Sequence, residues 1–295
     1  MNQADMTAKI SQGAGFIAAL DQSGGSTPGA LKGYGVAEDA YSTDAEMYAL
    51  IHAMRSRIIT SPCFGGGKVI GAILFEKTMD GEAGGDPVPQ ALWQRGVVPF
   101  LKVDKGLEDE ADGVKLMKPM PELDALCQRA VAKGVFGTKM RSVIERANPV
   151  GIAAIVAQQF AVAAQISRHG LMPIIEPEVS IKSLDRAHCD AILLAELKKA
   201  LDALGKGEQV MLKLTLPAEA NLFAPLVDHP RVLRVVALSG GFSRDEACRQ
   251  LAENRGMIAS FSRALLSDLR TQMSDDEFDG ALGTAIDDIH TASVA

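Results

Sequence analysis

Charged side chains that interrupt apolar runs are costly unless they are paired or used, and this chain carries several at the ends of such runs. Lys213 is the sharpest case: in MLKLTL it breaks the run Val210, Met211, Leu212, Leu214 and Leu216, where a purely structural strand would carry another aliphatic side chain. A lysine in a partly desolvated pocket beside other cations has a lowered pKa, and its neutral amine can attack a carbonyl to form a Schiff base. The alternative is a lysine that snorkels to a rim or pairs with a glutamate. Glu176, in IIEPEV, suits a carboxyl with a raised pKa that shuttles protons as a carbinolamine forms and dehydrates; a buried salt bridge to a lysine is the other reading. Asp21, between FIAAL and QSGGS, either handles a substrate hydroxyl as a carbon bond breaks or caps a turn. Residues two apart on a strand point the same way, so Lys102 with Asp104, Lys139 with Arg141 and Glu176 with Glu178 each put two charges on one face.

Phosphate recognition is a separate signal. In ALSGGFSRDEA, the turn Ser239, Gly240 and Gly241 precedes a helix opening at Ser243, so backbone N–H groups and the positive end of a helix converge on one spot. Arg263, after the next apolar run, supplies a bidentate partner. A glycine turn needed only for chain reversal would read the same way. Ser23 to Ser26 form a second Gly/Ser turn that could hold another phosphate together with Lys102. Gly65, Gly66, Gly67 and Lys68 lack the spacing of a P-loop and read as an ordinary turn. His52, His169, His188, His229 and His290 show no pair at metal-ligand spacing, so no metal or other cofactor is expected.

Eight apolar or β-branched runs could position these groups: Phe16 to Leu20, Val69 to Phe75, Val97 to Val103, Val135 to Met140, Leu171 to Ile175, Val210 to Leu216, Val232 to Leu238 and Met257 to Phe261. They read as buried strands, and the stretches between them carry helical period. Met47, Leu50, Ile51 and Met54 share a face behind a capping box of Thr43 and Glu46. Leu123, Leu126, Cys127 and Ala130 repeat the pattern up to Gly134 in the position of a C-cap. Asn148 with Pro149 opens another helix, and Ser243 with Glu246 offers a second capping box. The stripe Phe278, Leu282, Ile286 and Ile289 reads as packing. Strands that alternate with helices imply parallel crossovers, and eight such units make an α/β fold of the (β/α)8 TIM-barrel type, with the site at the carboxyl ends of the strands. No linker or repeat asks for a boundary, so one domain over residues 1–295 is expected.

The 295 residues carry 37 acidic and 30 basic side chains, mixed along the chain, for a formal charge of -7. Without basic runs, nucleic acid is not an expected partner. No apolar run is read as approaching the roughly 20 residues that span a bilayer, so no membrane partner is expected either. Cys63, Cys127, Cys189 and Cys248 show no CxxC spacing and the N-terminus lacks the apolar core of a signal peptide, which points to a reducing cytoplasmic compartment. A homo-oligomer remains open, with Trp93 and the methionines in an interface or in the core.

These residues match a family. The segments GFIAALDQSGGSTP, GAILFE, GVVPFLKVDKG, FGTKMRS, LMPIIEPEV, VMLKLT, VALSGG and ASFSRAL, in this order and over nearly the whole chain, resemble class I fructose-1,6-bisphosphate aldolases, above all the shorter bacterial form. The resemblance implies reversible cleavage of fructose 1,6-bisphosphate to glycerone phosphate and glyceraldehyde 3-phosphate, a step of glycolysis and gluconeogenesis. By its motifs Lys213 would form the Schiff base, Glu176 would accept the proton, Asp21 would assist carbon–carbon cleavage and Lys139 would stabilise the carbinolamine. Lys102 and Arg141 would line the substrate channel, with Glu178 beside them. Ser239, Gly240 and Arg263 would hold the phosphate of the ketone half, and Ser23 and Ser26 would help with the other. The chain departs from the animal enzymes in DQSGGS, where they have glutamate after the aspartate, and in the rest of that loop, where their basic pair is absent and only Lys32 lies nearby. It departs again in SFSRAL and in an ending, IHTASVA, without a terminal tyrosine; His290 or a bound phosphate is then a candidate for returning the proton to the enamine. The same residues leave open a different ketose, such as sedoheptulose bisphosphate or a monophosphate, and a barrel that binds phosphosugars without turnover.

Overall fold

A computed structural model describes residues 2–65 and 67–295; the turn expected over Gly65 to Lys68 includes Gly66, which lies outside the described residues. Eight parallel strands follow one another in sequence order around a barrel: β1 Phe16–Leu20, β2 Val69–Leu74, β3 Val98–Lys102, β4 Gly137–Ile144, β5 Met172–Val179, β6 Val210–Thr215, β7 Val232–Leu238 and β8 Ile258–Ala259. Each is followed by helical chain that covers the outside. This is the (β/α)8 TIM barrel expected from the alternation of runs. Seven of the eight junctions are parallel ladders. At the eighth, between β1 and β8, a single backbone hydrogen bond crosses among the described residues, Ala19 N–H to Phe261 O at 3.1 Å.

The strand period of two divides each strand between two cores. Outward side chains, among them Phe16, Leu20, Leu74, Leu101, Leu212 and Leu214, pack under the helices. Inward side chains Ile17, Ile73, Val98, Phe100, Ile174, Met211, Val236 and Ile258 fill the barrel. Phe100 is large enough that a Cβ on inward-facing Gly137 would come within 3.0 Å of its ring. A helix at Gln3–Gln12, capped by Asn2, closes the lower mouth: Met6 and Ile10 join the interior cluster, and Arg234 donates to Ser11 O and Gly13 O. Nothing in the periodicity of the strands announces this plug.

The capping box at Thr43 and Glu46, the Asn148 cap and the buried stripe on the last helix are present. Three expectations need correction. The second proposed capping box is half made: Ser243 accepts from Glu246 N–H, but the Glu246 carboxylate is taken by Arg249 and Gln250. β4 and β5 run four residues past the predicted ends, to Ile144 and Val179, and the short strand Val114–Lys115 pairs antiparallel with the extended end of β4. The helix Pro149–Ser167, at 19 residues, does have the length and apolar composition of a bilayer span. It packs instead against β4, β5 and the neighbouring helix Arg186–Asp202, with Ile152, Ile155, Val156 and Ile166 buried.

Candidate active site

At the carboxyl ends of the strands the interior changes character two residues above its apolar layer. Phe100 is followed inward by Lys102, Ile174 by Glu176 and Met211 by Lys213, while β1 delivers Asp21 and β4 delivers Lys139. They line the floor of an open cleft of about 1010 Å³. Asp21, Lys139, Glu176 and Lys213 are each buried. Lys139 Nζ lies 2.7 Å from Asp21 Oδ2 and 2.8 Å from Glu176 Oε2, and Lys213 Nζ lies 3.1 Å from Glu176 Oε1. Two cations and two carboxylates thus form one connected cluster, with Glu176 bridging both lysines.

Burial opposes the charges of Asp21, Glu176 and Lys139, and their neighbours overrule it. Desolvation would raise the Asp21 carboxyl, but Lys139 and then Lys213 hold it well below the usual carboxylate range. Glu176 is likewise raised by burial and lowered more by Lys139 and Lys213. This corrects the expectation of a raised pKa: the apolar run predicted the desolvation, while the two lysines reach Glu176 from other strands. Lys139, lowered by burial, is raised above the ordinary lysine range by Asp21 and Glu176. Glu176 in the unliganded protein is therefore ionised, with its Oε1 3.1 Å from Lys213 Nζ.

Above the cluster, Arg141 Nε pairs with Glu178 Oε2 at 2.5 Å, and Lys102 Nζ bonds Asp104 Oδ1 at 2.7 Å and Asp104 O at 2.8 Å. Asp104 Oδ2 has no hydrogen-bond partner among the described residues, although the residue is buried. Ser239, Gly240 and Arg263 line the cleft on the β7 and β8 side. Gly240 and Gly241 adopt φ of 60° and 119°, in the left-handed region that favours glycine. A Cβ on Gly240 would meet Ile181 Cγ2 at 2.6 Å, and one on Gly241 would meet Arg263 Nη2 at 3.2 Å. Gly241 is exposed beside the Arg263 guanidinium and is not among the residues lining the cleft. Ser23 and Ser26 also line the cleft, but Ser26 Oγ donates to Ser23 O and accepts from Ser23 N–H, so this turn spends a hydroxyl on itself. Lys32 is an exposed surface group paired with Glu38. His290 sits on the last helix and is not among the residues lining the cleft.

Several supporting groups escaped sequence reasoning. Gln159, buried on the helix Pro149–Ser167, accepts from Glu176 N–H at 2.8 Å and donates to Ser142 Oγ at 3.1 Å, fixing β5 against β4. Its position was readable: residues 152, 155, 156, 159, 163 and 166 form the buried face, and 159 is the polar one. Arg55 is completely buried on the helix Asp44–Thr60, again on an otherwise apolar face. Tyr48 and Phe75 stack at 5.4 Å along the cleft wall.

The arrangement can hold an amine, an acid–base carboxylate and an anion in one concave site. The family model described as glycolytic fructose-bisphosphate aldolase class-I matches residues 5–225. Among solved structures, the chain is similar to fructose-bisphosphate aldolase from Plasmodium falciparum, in complex with TRAP and a small-molecule inhibitor. That match has 20% identity, covers 99% of this chain and 94% of the other, and has a TM-score of 0.80. A protein from Corynebacterium glutamicum matches at 15% identity over 98% of this chain and 92% of its own, with a TM-score of 0.53. Both likenesses concern the fold.

Proposed function

The chain belongs to the class-I fructose-bisphosphate aldolase family, and from that premise we propose that it cleaves fructose 1,6-bisphosphate to glycerone phosphate and glyceraldehyde 3-phosphate through a Schiff base on Lys213. The observation that carries the proposal is the buried Lys213 amine 3.1 Å from Glu176, inside the Asp21–Lys139–Glu176 cluster. Glu176 takes a proton from the Lys213 ammonium, and the freed amine attacks C2 of the ketone. Lys139 stabilises the carbinolamine oxygen, and the proton held by Glu176 leaves with that oxygen as water, giving the iminium. Asp21 removes the proton of the C4 hydroxyl as the C3–C4 bond breaks; the bond's electron pair flows into the iminium to give an enamine, and the aldehyde departs. Protonation of the enamine at C3 and addition of water to the imine then release glycerone phosphate and restore the amine.

In this reading Ser239, Gly240, Gly241 and Arg263 hold the phosphate of the ketone half through backbone N–H groups and a bidentate guanidinium. Lys102, Arg141 and Glu178 order the sugar chain, and Ser23 and Ser26 face the second phosphate. The iminium is the electron sink, so no metal is required. Four free thiols suit the reducing cytoplasm, where the reaction would serve glycolysis and gluconeogenesis. Borohydride added with glycerone phosphate should leave a reduced adduct on Lys213, located by peptide mass mapping, and EDTA should leave turnover intact. Cleavage without any adduct, or cleavage abolished by EDTA, would falsify the mechanism.

A further inference from the structure

Arg55 is the largest side chain with no solvent exposure, and it lies outside the residues to which the aldolase reading gives a role. It forms no ion pair with a carboxylate among the described residues. Its Nη1 donates to Thr78 Oγ1 at 2.8 Å, and its Nη2 donates to Gln22 O and, at 3.2 Å, to Gln22 Oε1. Its Nε has no hydrogen-bond partner among the described residues. Burial pushes the guanidinium down to about 10, against the pull of the Asp21 carboxylate. A charge buried without a counter-ion is costly, and an aliphatic side chain would suit this helix face.

What the guanidinium holds gives it a use. Gln22 follows Asp21 directly, and its Nε2 donates to Ser262 Oγ at 2.5 Å, next to Arg263. The path Arg55, Gln22, Ser262 therefore crosses the seam between β1 and β8, which carries the single backbone hydrogen bond from Ala19 to Phe261. Asp21 stands on one side of this weakly laddered junction and Arg263 on the other. We propose that Arg55 is a positioning residue that, through Gln22 and Ser262, sets the spacing between the Asp21 carboxylate and the Arg263 guanidinium, and so the register of the reacting carbons against the bound phosphate. The inference rests on the aldolase reading.

The test compares Arg55→Lys, Gln22→Ala and Ser262→Ala in the full chain. Each should lower kcat/KM for fructose 1,6-bisphosphate by about 10- to 100-fold, the scale on which misplacement of reacting groups by an ångström acts. KM should rise as Arg263 shifts and kcat should fall as Asp21 shifts. Borohydride should still trap glycerone phosphate on Lys213, and the thermal midpoint of Gln22→Ala, a partly exposed residue, should not move. Because the three variants cut one path, Gln22→Ala/Ser262→Ala should lose no more than its worse parent, the non-additivity expected of coupled residues. Losses that multiply, or a Gln22→Ala enzyme with parental kcat and KM, overturn the proposal. Should Arg55→Lys not fold, the other two variants decide, since both leave the guanidinium in place. A parent protein that neither cleaves nor is trapped overturns the aldolase reading and this inference with it, whereas loss of coupling alone removes only the inference.

Discussion

The lower and upper halves of the barrel interior are built by the same strands, two residues apart, and both are buried. Below, Ile17, Phe100, Ile174 and Met211 pack against one another and against the helix that closes the lower mouth. Above, Asp21, Lys139, Glu176 and Lys213 are equally buried but meet as two cations and two carboxylates. Desolvation strengthens dispersion contacts in the first half, while in the second it weakens each charge and leaves it dependent on its partners. The lower half is satisfied in one arrangement. In the upper half Glu176 bridges two lysines, so removing a proton from one of them reassigns the whole cluster.

The strongest way to break this contrast is to replace the Lys213 and Glu176 pair together. Lys213→Met/Glu176→Gln should lower cleavage by at least about 10⁴-fold, as loss of a nucleophile does elsewhere. It should also match or exceed the parent's unfolding free energy, by up to about 4 kcal/mol, because a buried ion pair gives way to neutral groups. Guanidinium denaturation read beside single-turnover assays checks both, and a clearly less stable double variant would show that the cluster is structural. Phe100→Ala should do the reverse, costing about 3–5 kcal/mol by opening a cavity in the lower half, with kcat per folded molecule unchanged. A fall in kcat would show that the two halves are mechanically coupled.

The smallest effect concerns a buried carboxylate outside the barrel interior. Asp190 accepts from Ala218 N–H at 2.8 Å and has no ion pair among the described residues; burial raises it from 3.8 to about 6. Because the folded value lies above the unfolded one, the stability linked to this group is fully present below about pH 4 and is lost as pH rises through 6. Asp190→Asn should therefore gain on the parent between pH 4 and pH 8, by on the order of 2 kcal/mol. Parallel pH dependences of the two unfolding curves would show that Asp190 does not titrate across this range. Glu176, with its lowered pKa, has the opposite sign and supports the fold until the medium is acidic.

The barrel was legible because each strand carries its apolar pattern locally: all eight predicted strands are present, and five of them, β1, β2, β3, β6 and β7, overlap their observed ranges almost completely. β8 shrank to Ile258–Ala259 because ladder pairing depends on a neighbour, and at the seam that neighbour is nearly absent. The charges two apart on β4 and β5 marked the cleft for the same local reason. What the pattern could not supply was partnership. The downward shift of Glu176 comes from lysines on β4 and β6, and the closed hydrogen bonding of Ser23 and Ser26 arises from a tight turn rather than from composition. Gln159 and Arg55 sit on apolar helix faces at readable spacing, but their purpose shows only once the strand ends beneath them are placed.

The helix at Gln3–Gln12 has a further consequence, for the order of events in folding. It is synthesised before the strands it covers, yet Arg234, which grips its end, lies 223 residues beyond Ser11. Its contacts with β2 and β3 can form early, but those with β7 wait until that strand has been synthesised. Contacts of such long range slow folding, so the plug is expected to complete its docking late, tying a helix made before all eight strands to one of the last of them.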